Sequence, residues 1–167
     1  MDIKSINLEQ VSKNRKIKTE KEKKKRIISK TDNWLNINPV VNQLEYIIDM
    51  SNINCLVKCQ IHNKIRGYKS QDVLKNKFCS DKFIDYEFVI GLLQQCDIKC
   101  FYCKKEVHII YENVREPKQW TIERIDNDMG HNKDNVEIAC LNCNLRRRTM
   151  YFERYIMTKQ IQIVKTA

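Results

Sequence analysis

Two cysteine pairs, Cys100 with Cys103 in CFYC and Cys140 with Cys143 in CLNC, stand 36 residues apart. Each C-x-x-C can sit on one tight knuckle with both sulfurs facing a single point. Two knuckles together supply the tetrahedral four-sulfur site that Zn²⁺ favours. No fourth position is open for water, so a zinc held there is structural. Four thiolates leave a net negative site, which nearby Lys104, Lys105 and Arg146 can offset. A redox pair and unliganded core cysteines are the alternatives. Cys96 competes with Cys100 as a ligand, but C-x-x-x-C is the poorer spacing. Whatever lies between the pairs must fold as a short unit braced at both ends.

That intervening stretch includes WTIERIDNDMGHNKDNVEIAC. Thr121 to Ile125 alternates polar and β-branched residues, which predicts a short strand. Residues 126–135 are rich in turn formers, with Gly130 permissive for the backbone. Val136 to Ala139 reads as a second strand. From Leu141 onward, LNCNLRRRTMYFERYI reads as a helix with apolar residues at Leu145, Phe152 and Ile156. The order is strand, loop, strand, helix. His108, in VHII after the first knuckle, reads as packing.

The remainder is helical in character. Gly at 3 and Pro at 2 among 167 residues argue against an all-β chain full of tight turns. Asn38-Pro39 opens a segment in which Val40, Val41, Leu44, Ile47 and Ile48 recur at helical spacing. Ser51 can cap a second helix carrying Leu56, Ile61 and Ile65, with Gly67 as its expected stop. A third is expected from about Asp85, burying Phe88, Val89, Leu92 and Leu93. Cys55, Cys59 and His62 share one side of the second helix, with Cys79 further on. That spacing suits a second metal site and equally a core stripe. The fold class expected is α+β: a mostly helical N-terminal two-thirds followed by a zinc-stapled ββα module.

Charge divides the chain. Residues 1–30 hold 11 Lys or Arg against 4 Asp or Glu, a net +7, while residues 31–167 hold 20 against 17, a net +3. The arm KNRKIKTEKEKKKR has few apolar residues to bury and reads as disordered or loosely helical. Contact with nucleic acid, a nuclear or viral-factory import signal, and a solubilising tail are its three readings. The organisation expected is a basic arm over 1–30, a helical segment over 31–98 and the zinc-stapled module over 99–167. No apolar run reaches the roughly 18 residues of a membrane span. With no apolar leader in MDIKSINLEQVSK, the eight cysteines suit an intracellular protein with no membrane partner.

Residues 100–148 resemble the HNH endonucleases, the ββα-metal or His-Me finger family, in the subtype stapled by four cysteines. Phage junction-resolvase-like nucleases end in a similar C-x-x-C-N, and HNH-like proteins of large DNA viruses share the feel of YKSQD and VREPKQW. The resemblance implies the following roles. Glu123 falls on the carboxylate that holds a catalytic Mg²⁺ or Mn²⁺. Asn135 falls on the middle Asn that ties the loop and orients the base. Asn144 falls on the final helix residue that completes the metal site opposite Glu123. Arg124 stands where the family has its general-base His.

Mg²⁺ takes hard oxygen ligands and is often held by one or two protein groups plus phosphate, which suits Glu123 with Asn144. A salt bridge to Arg124 or Arg146, and a helix cap, are the competing roles of those two residues. A guanidinium cannot take a proton from water, but it can clamp a phosphate. His131 in the loop and Asp126 at the strand end are therefore the candidate bases. Arg146, Arg147 and Arg148 follow on the same helix, and with Lys118 they are expected to contact DNA phosphates. Trp120 is expected to anchor the core.

Two functions follow from the resemblance. One is a metal-dependent endonuclease on duplex, branched or nicked DNA, with a homodimer left open. The other is a non-catalytic zinc-stapled DNA-binding module in which Arg124 is a phosphate clamp. A zinc-ribbon protein that binds another protein fits the knuckles but leaves the basic arm and the arginine run unexplained.

Overall fold

The computed structural model describes residues 24, 43, 45–48, 53 and 55–160. Among the described residues, five helical segments and two strands appear in the order α1 (Glu45–Ile48), α2 (Cys55–Leu74), α3 (Tyr86–Gln95), β1 (Trp120–Arg124), β2 (Val136–Cys140), α4 (Leu141–Arg147) and α5 (Phe152–Gln160). The architecture is α+β, with three helical segments before a small antiparallel sheet and two after it. The start signals at Asn38, Pro39 and Ser51 lie outside the described residues, as do Val40, Val41 and Leu44. So does the basic arm, apart from Lys24, whose carbonyl accepts from the Val114 amide at 2.8 Å. No helix among the described residues is long and apolar enough to cross a membrane.

The second helix does not stop at Gly67. It continues to Leu74, and no glycine adopts a positive φ. A helical glycine costs about 1 kcal/mol, and tertiary contacts beyond it outweigh that penalty. Tyr68 and Asp72, four residues apart, both turn inward, where Tyr68 accepts a hydrogen bond from the Ile122 amide at 3.0 Å and Asp72 is buried. α3 begins where expected. Asp85 caps it, its carboxylate accepting from the Phe88 amide at 2.8 Å. Its fully buried residues are Val89, Ile90 and Leu93, while Phe88 and Leu92 pack partly buried against the core.

β1 and β2 pair in register from Trp120 opposite Cys140 to Arg124 opposite Val136. A two-stranded hairpin is marginal alone and leaves strand edges open. Here α2 covers the outer edge of β1: Lys64 Nζ donates to the Trp120 carbonyl, and the Tyr68 hydroxyl receives the Ile122 amide. Trp120, Ile122 and Ile138 join Val57, Ile61, Val89 and Leu93 in one buried cluster, with Trp120 wholly inaccessible.

The single helix expected after Leu141 is two. Arg148 sits at φ 53° and closes α4, and α5 starts again at Phe152. The left-handed region is costly for a residue with a Cβ, so the break is held by packing. The guanidinium Nε of Arg147 donates to the Met150 carbonyl at 3.0 Å, which ties the break down. Past it, Phe152 stacks on Phe101 at 5.1 Å between centroids and Tyr155 meets Tyr102 edge-on at 4.7 Å. Leu145, expected on the apolar face, is exposed; Cys143 and Arg147 are the buried residues of α4.

Candidate functional site

Two local structures bring the four cysteines together. The first knuckle is a turn in which the Cys100 amide donates to the Lys105 carbonyl and the Lys104 amide to the Cys100 carbonyl, each at 2.9 Å. The Phe101 amide, donating to the Ile138 carbonyl at 2.8 Å, joins this turn to β2. The second knuckle is the junction of β2 and α4, where Cys140 caps the helix and its Sγ accepts from the Cys143 amide at 3.4 Å. All four sulfurs lie within 4.8 Å of one another, and Cys103 and Cys140 are 3.9 Å apart. A tetrahedron with metal–sulfur bonds of about 2.3 Å has sulfur–sulfur edges of about 3.8 Å, so the set is positioned for one metal ion.

The crowded sulfurs also perturb one another's protonation. Hydrogen bonds from Cys140 and Cys143 hold the Cys100 thiol far below its ordinary value. The bond with Cys100 pushes Cys140 up to about 11, and Cys143 goes higher for the same reason. A cation bound there would displace the protons that the crowded sulfurs hold. Cys96 lies outside the set and donates to the Leu93 carbonyl at 3.4 Å. The second cysteine cluster does not form among the described residues. Cys55 and Cys59 are exposed, and His62 stacks on Tyr86 at 4.6 Å.

At the end of β1 a polar cavity of about 220 Å³ opens between the hairpin and α2. Four residues to which the sequence assigned roles in the catalytic site line it together: Glu123, Arg124, His131 and Asn144. Arg148 also lines it, joined by Tyr68 and Gln71 of α2 and by Lys75 just beyond that helix.

Glu123 and Thr121 share the face of β1 toward α4, because side chains alternate along a strand. Glu123 is buried, and its Oε1 accepts from Nη1 of Arg147. Burial pushes its carboxyl above the ordinary value, against the downward pull of Arg147. The expected roles of Arg124 and Arg146 as its ion partner are thus taken by Arg147. Arg147 is also the correction to the expected DNA-contacting run. Only 2% of it is exposed, and its remaining N–H groups bond the Arg124, Ile125 and Met150 carbonyls. Three consecutive arginines on a helix point three ways, and the middle one faces the hairpin. Arg146, Arg148 and Lys118 are exposed.

Asn144 has a determined orientation. The Thr121 hydroxyl donates its hydrogen to the Ala139 carbonyl at 2.8 Å, so its oxygen can only accept from Asn144 Nδ2, at 3.2 Å. That leaves Asn144 Oδ1, a hard oxygen, for the cavity. Arg124 uses Nη1 on the Asn127 and Met129 carbonyls, at 3.2 and 3.0 Å, and so closes the loop beneath the cavity. Asn135 does the same from the other side. Its Nδ2 donates to the Asp126 and Gly130 carbonyls at 3.0 Å each, and its Oδ1 accepts from the Asp126 amide at 2.8 Å. Asp126 is exposed, accepts from the Asp128 amide, and is not among the cavity's lining residues.

Sequence reasoning missed the contribution of α2. Ile61, Ile65, Tyr68 and Asp72 form one continuous helical stripe across Gly67, and that periodicity was the available signal. No protein-family model, curated protein or solved structure matches this chain. Its own residues therefore carry the functional reading.

Proposed function

We propose that this protein is a metal-dependent endonuclease of the HNH type that hydrolyses DNA phosphodiester bonds, with Zn²⁺ as its structural staple. The supporting observation is the convergence of Glu123, Arg124, His131 and Asn144 on one polar cavity rimmed by Lys75 and Arg148. Three cations against one carboxylate suit a phosphate-bearing ligand. Glu123 and Asn144 would hold a Mg²⁺ or Mn²⁺ through carboxylate and amide oxygens, and that ion would neutralise the scissile phosphate and the leaving oxygen. Arg148, Lys75 and Arg146 would take the backbone phosphates, and the +7 arm would add sequence-independent affinity.

One observation favours the second reading, a DNA-binding module without catalysis: the Glu123 carboxylate already has Arg147 as its counter-ion. Nicking of supercoiled plasmid in Mg²⁺ or Mn²⁺ separates the two. The endonuclease reading expects wild type to nick, Glu123→Gln and Asn144→Ala to lose nicking, and all three to bind duplex DNA in EDTA. Binding without nicking by the wild type selects the module, and absence of both refutes the two readings together.

A further inference from the structure

Neither the four-sulfur site nor the hairpin pairing uses Asp72, yet α2 carries this carboxylate fully buried, two residues before its end. Both of its oxygens are committed to one residue, 59 positions away. Oδ1 lies 2.8 Å from Nδ1 of His131, and Oδ2 accepts the His131 amide at 2.6 Å. A buried carboxylate is costly unless fully hydrogen-bonded, and this one is fixed in both position and rotation. Facing a carboxylate, Nδ1 carries the proton, so Nε2 keeps its lone pair. The ring borders the cavity that Glu123, Arg124 and Asn144 also line. Tyr68 packs on the ring at 4.4 Å and is itself pinned to β1 through its hydroxyl. The approach is close enough to demand glycine at 130, where a Cβ would press into the Lys77 carbonyl and reach 2.9 Å from Asp72 Oδ2.

We propose that His131 is the general base of the hydrolysis and that Asp72, supplied by the helical half of the chain, is the positioning residue that sets its tautomer and aims Nε2 at the cavity. The inference rests on the endonuclease reading and supplies the group that Arg124 cannot be. Nε2 takes a proton from water as the water oxygen bonds to phosphorus. The bond from phosphorus to the leaving sugar oxygen breaks, its electron pair stays on that oxygen, and a solvent proton neutralises it. His131 then releases its proton to solvent.

The surroundings favour the neutral form of the ring. Burial pushes the His131 imidazole below its ordinary value, Asp72 pulls it back up, and Arg124 and Lys75 push it down again. Glu123 of β1, Arg148 after α4 and the Tyr68 hydroxyl are the other titratable or charged groups at the cavity wall.

The test is a pH–rate profile for nicking of supercoiled plasmid by the full-length, zinc-loaded chain in Mn²⁺. His131→Ala should fall by about 10²–10⁴-fold and recover in part when imidazole is added. Asp72→Asn should fall about tenfold or more, and its acid limb should move to lower pH because the carboxylate that raises the imidazole is gone. If wild type nicks and His131→Ala nicks equally fast, or loses activity that imidazole does not restore, the base assignment is wrong while the endonuclease reading stands. An unmoved acid limb in Asp72→Asn removes Asp72 from its role. No nicking by wild type overturns the endonuclease reading and the base assignment with it. Where melting shows Asp72→Asn to be unfolded, ¹⁵N shifts of His131 in the wild type decide: protonation on Nδ1 supports the pair, and protonation on Nε2 overturns it.

Discussion

Replacing Arg147 with Met tests the central buried ion pair. Met keeps much of the apolar stem and volume, so the cavity contribution stays small. What disappears is the whole set of N–H donors: Nη1 to Glu123 and to the Arg124 carbonyl at 2.5 Å, Nη2 to the Ile125 carbonyl at 2.7 Å, and Nε to the Met150 carbonyl. Glu123, 5% exposed, is left as a buried charge without its partner. Removing one member of such a pair costs about 3–5 kcal/mol. We expect about 4 kcal/mol, a large part of the roughly 5–15 kcal/mol that holds a domain together. The sign of its pH dependence is also set. Burial already raises the Glu123 carboxyl above its ordinary 4.5, and Arg147 is what holds it down. In Arg147→Met the folded carboxyl rises further and keeps a proton that the unfolded chain has released. Stability relative to wild type is then least impaired near pH 4.5 and below, and the deficit grows as pH rises toward the folded value. The slope is at most about 1.4 kcal/mol per pH unit. Urea unfolding of zinc-loaded protein across this range, followed by circular dichroism, measures both. Adding Glu123→Gln to Arg147→Met should recover about half of the loss. A deficit under about 1 kcal/mol, or one that grows toward acid, would refute the account of this pair.

Two further outcomes follow from the geometry. One Zn²⁺ per chain should co-purify, and Cys140→Ser, which removes a thiolate ligand while leaving an oxygen able to cap α4, should release it and unfold the C-terminal third, because metal binding is folding energy in so small a unit; elemental analysis finding no metal in well-folded wild type would refute this. Gly130→Ala should cost about 1–3 kcal/mol in urea unfolding, since the new methyl meets the Lys77 carbonyl and the Asp72 carboxylate; an unchanged unfolding midpoint would show that α2 does not press on the loop.

Much of the C-terminal third was legible from the chain alone. The two C-x-x-C spacings, the alternation through Thr121 to Ile125 and the turn formers up to Asn135 are local signals, and the hairpin, its loop and the four-sulfur cluster follow them. The α+β class was legible for the same reason, since periodicity and scarce Gly and Pro act within a few residues of themselves. Direction and partnership were not. Whether Arg146, Arg147 or Arg148 turns inward depends on where α4 sits against the hairpin, and only the packed structure selects Arg147 for Glu123, 24 residues away. Gly67 reads as a stop because its local cost is visible, while the offsetting contacts at Tyr68 and Asp72 come from β1 and the loop before β2. Asp72 and His131 are joined across 59 residues by the docking of α2 along the edge of β1. Spacing within one element is written into the chain by its own helical or strand period. A pair that exists only when two elements dock is set by the burial and hydrogen bonding of the whole, and tertiary structure alone decides it.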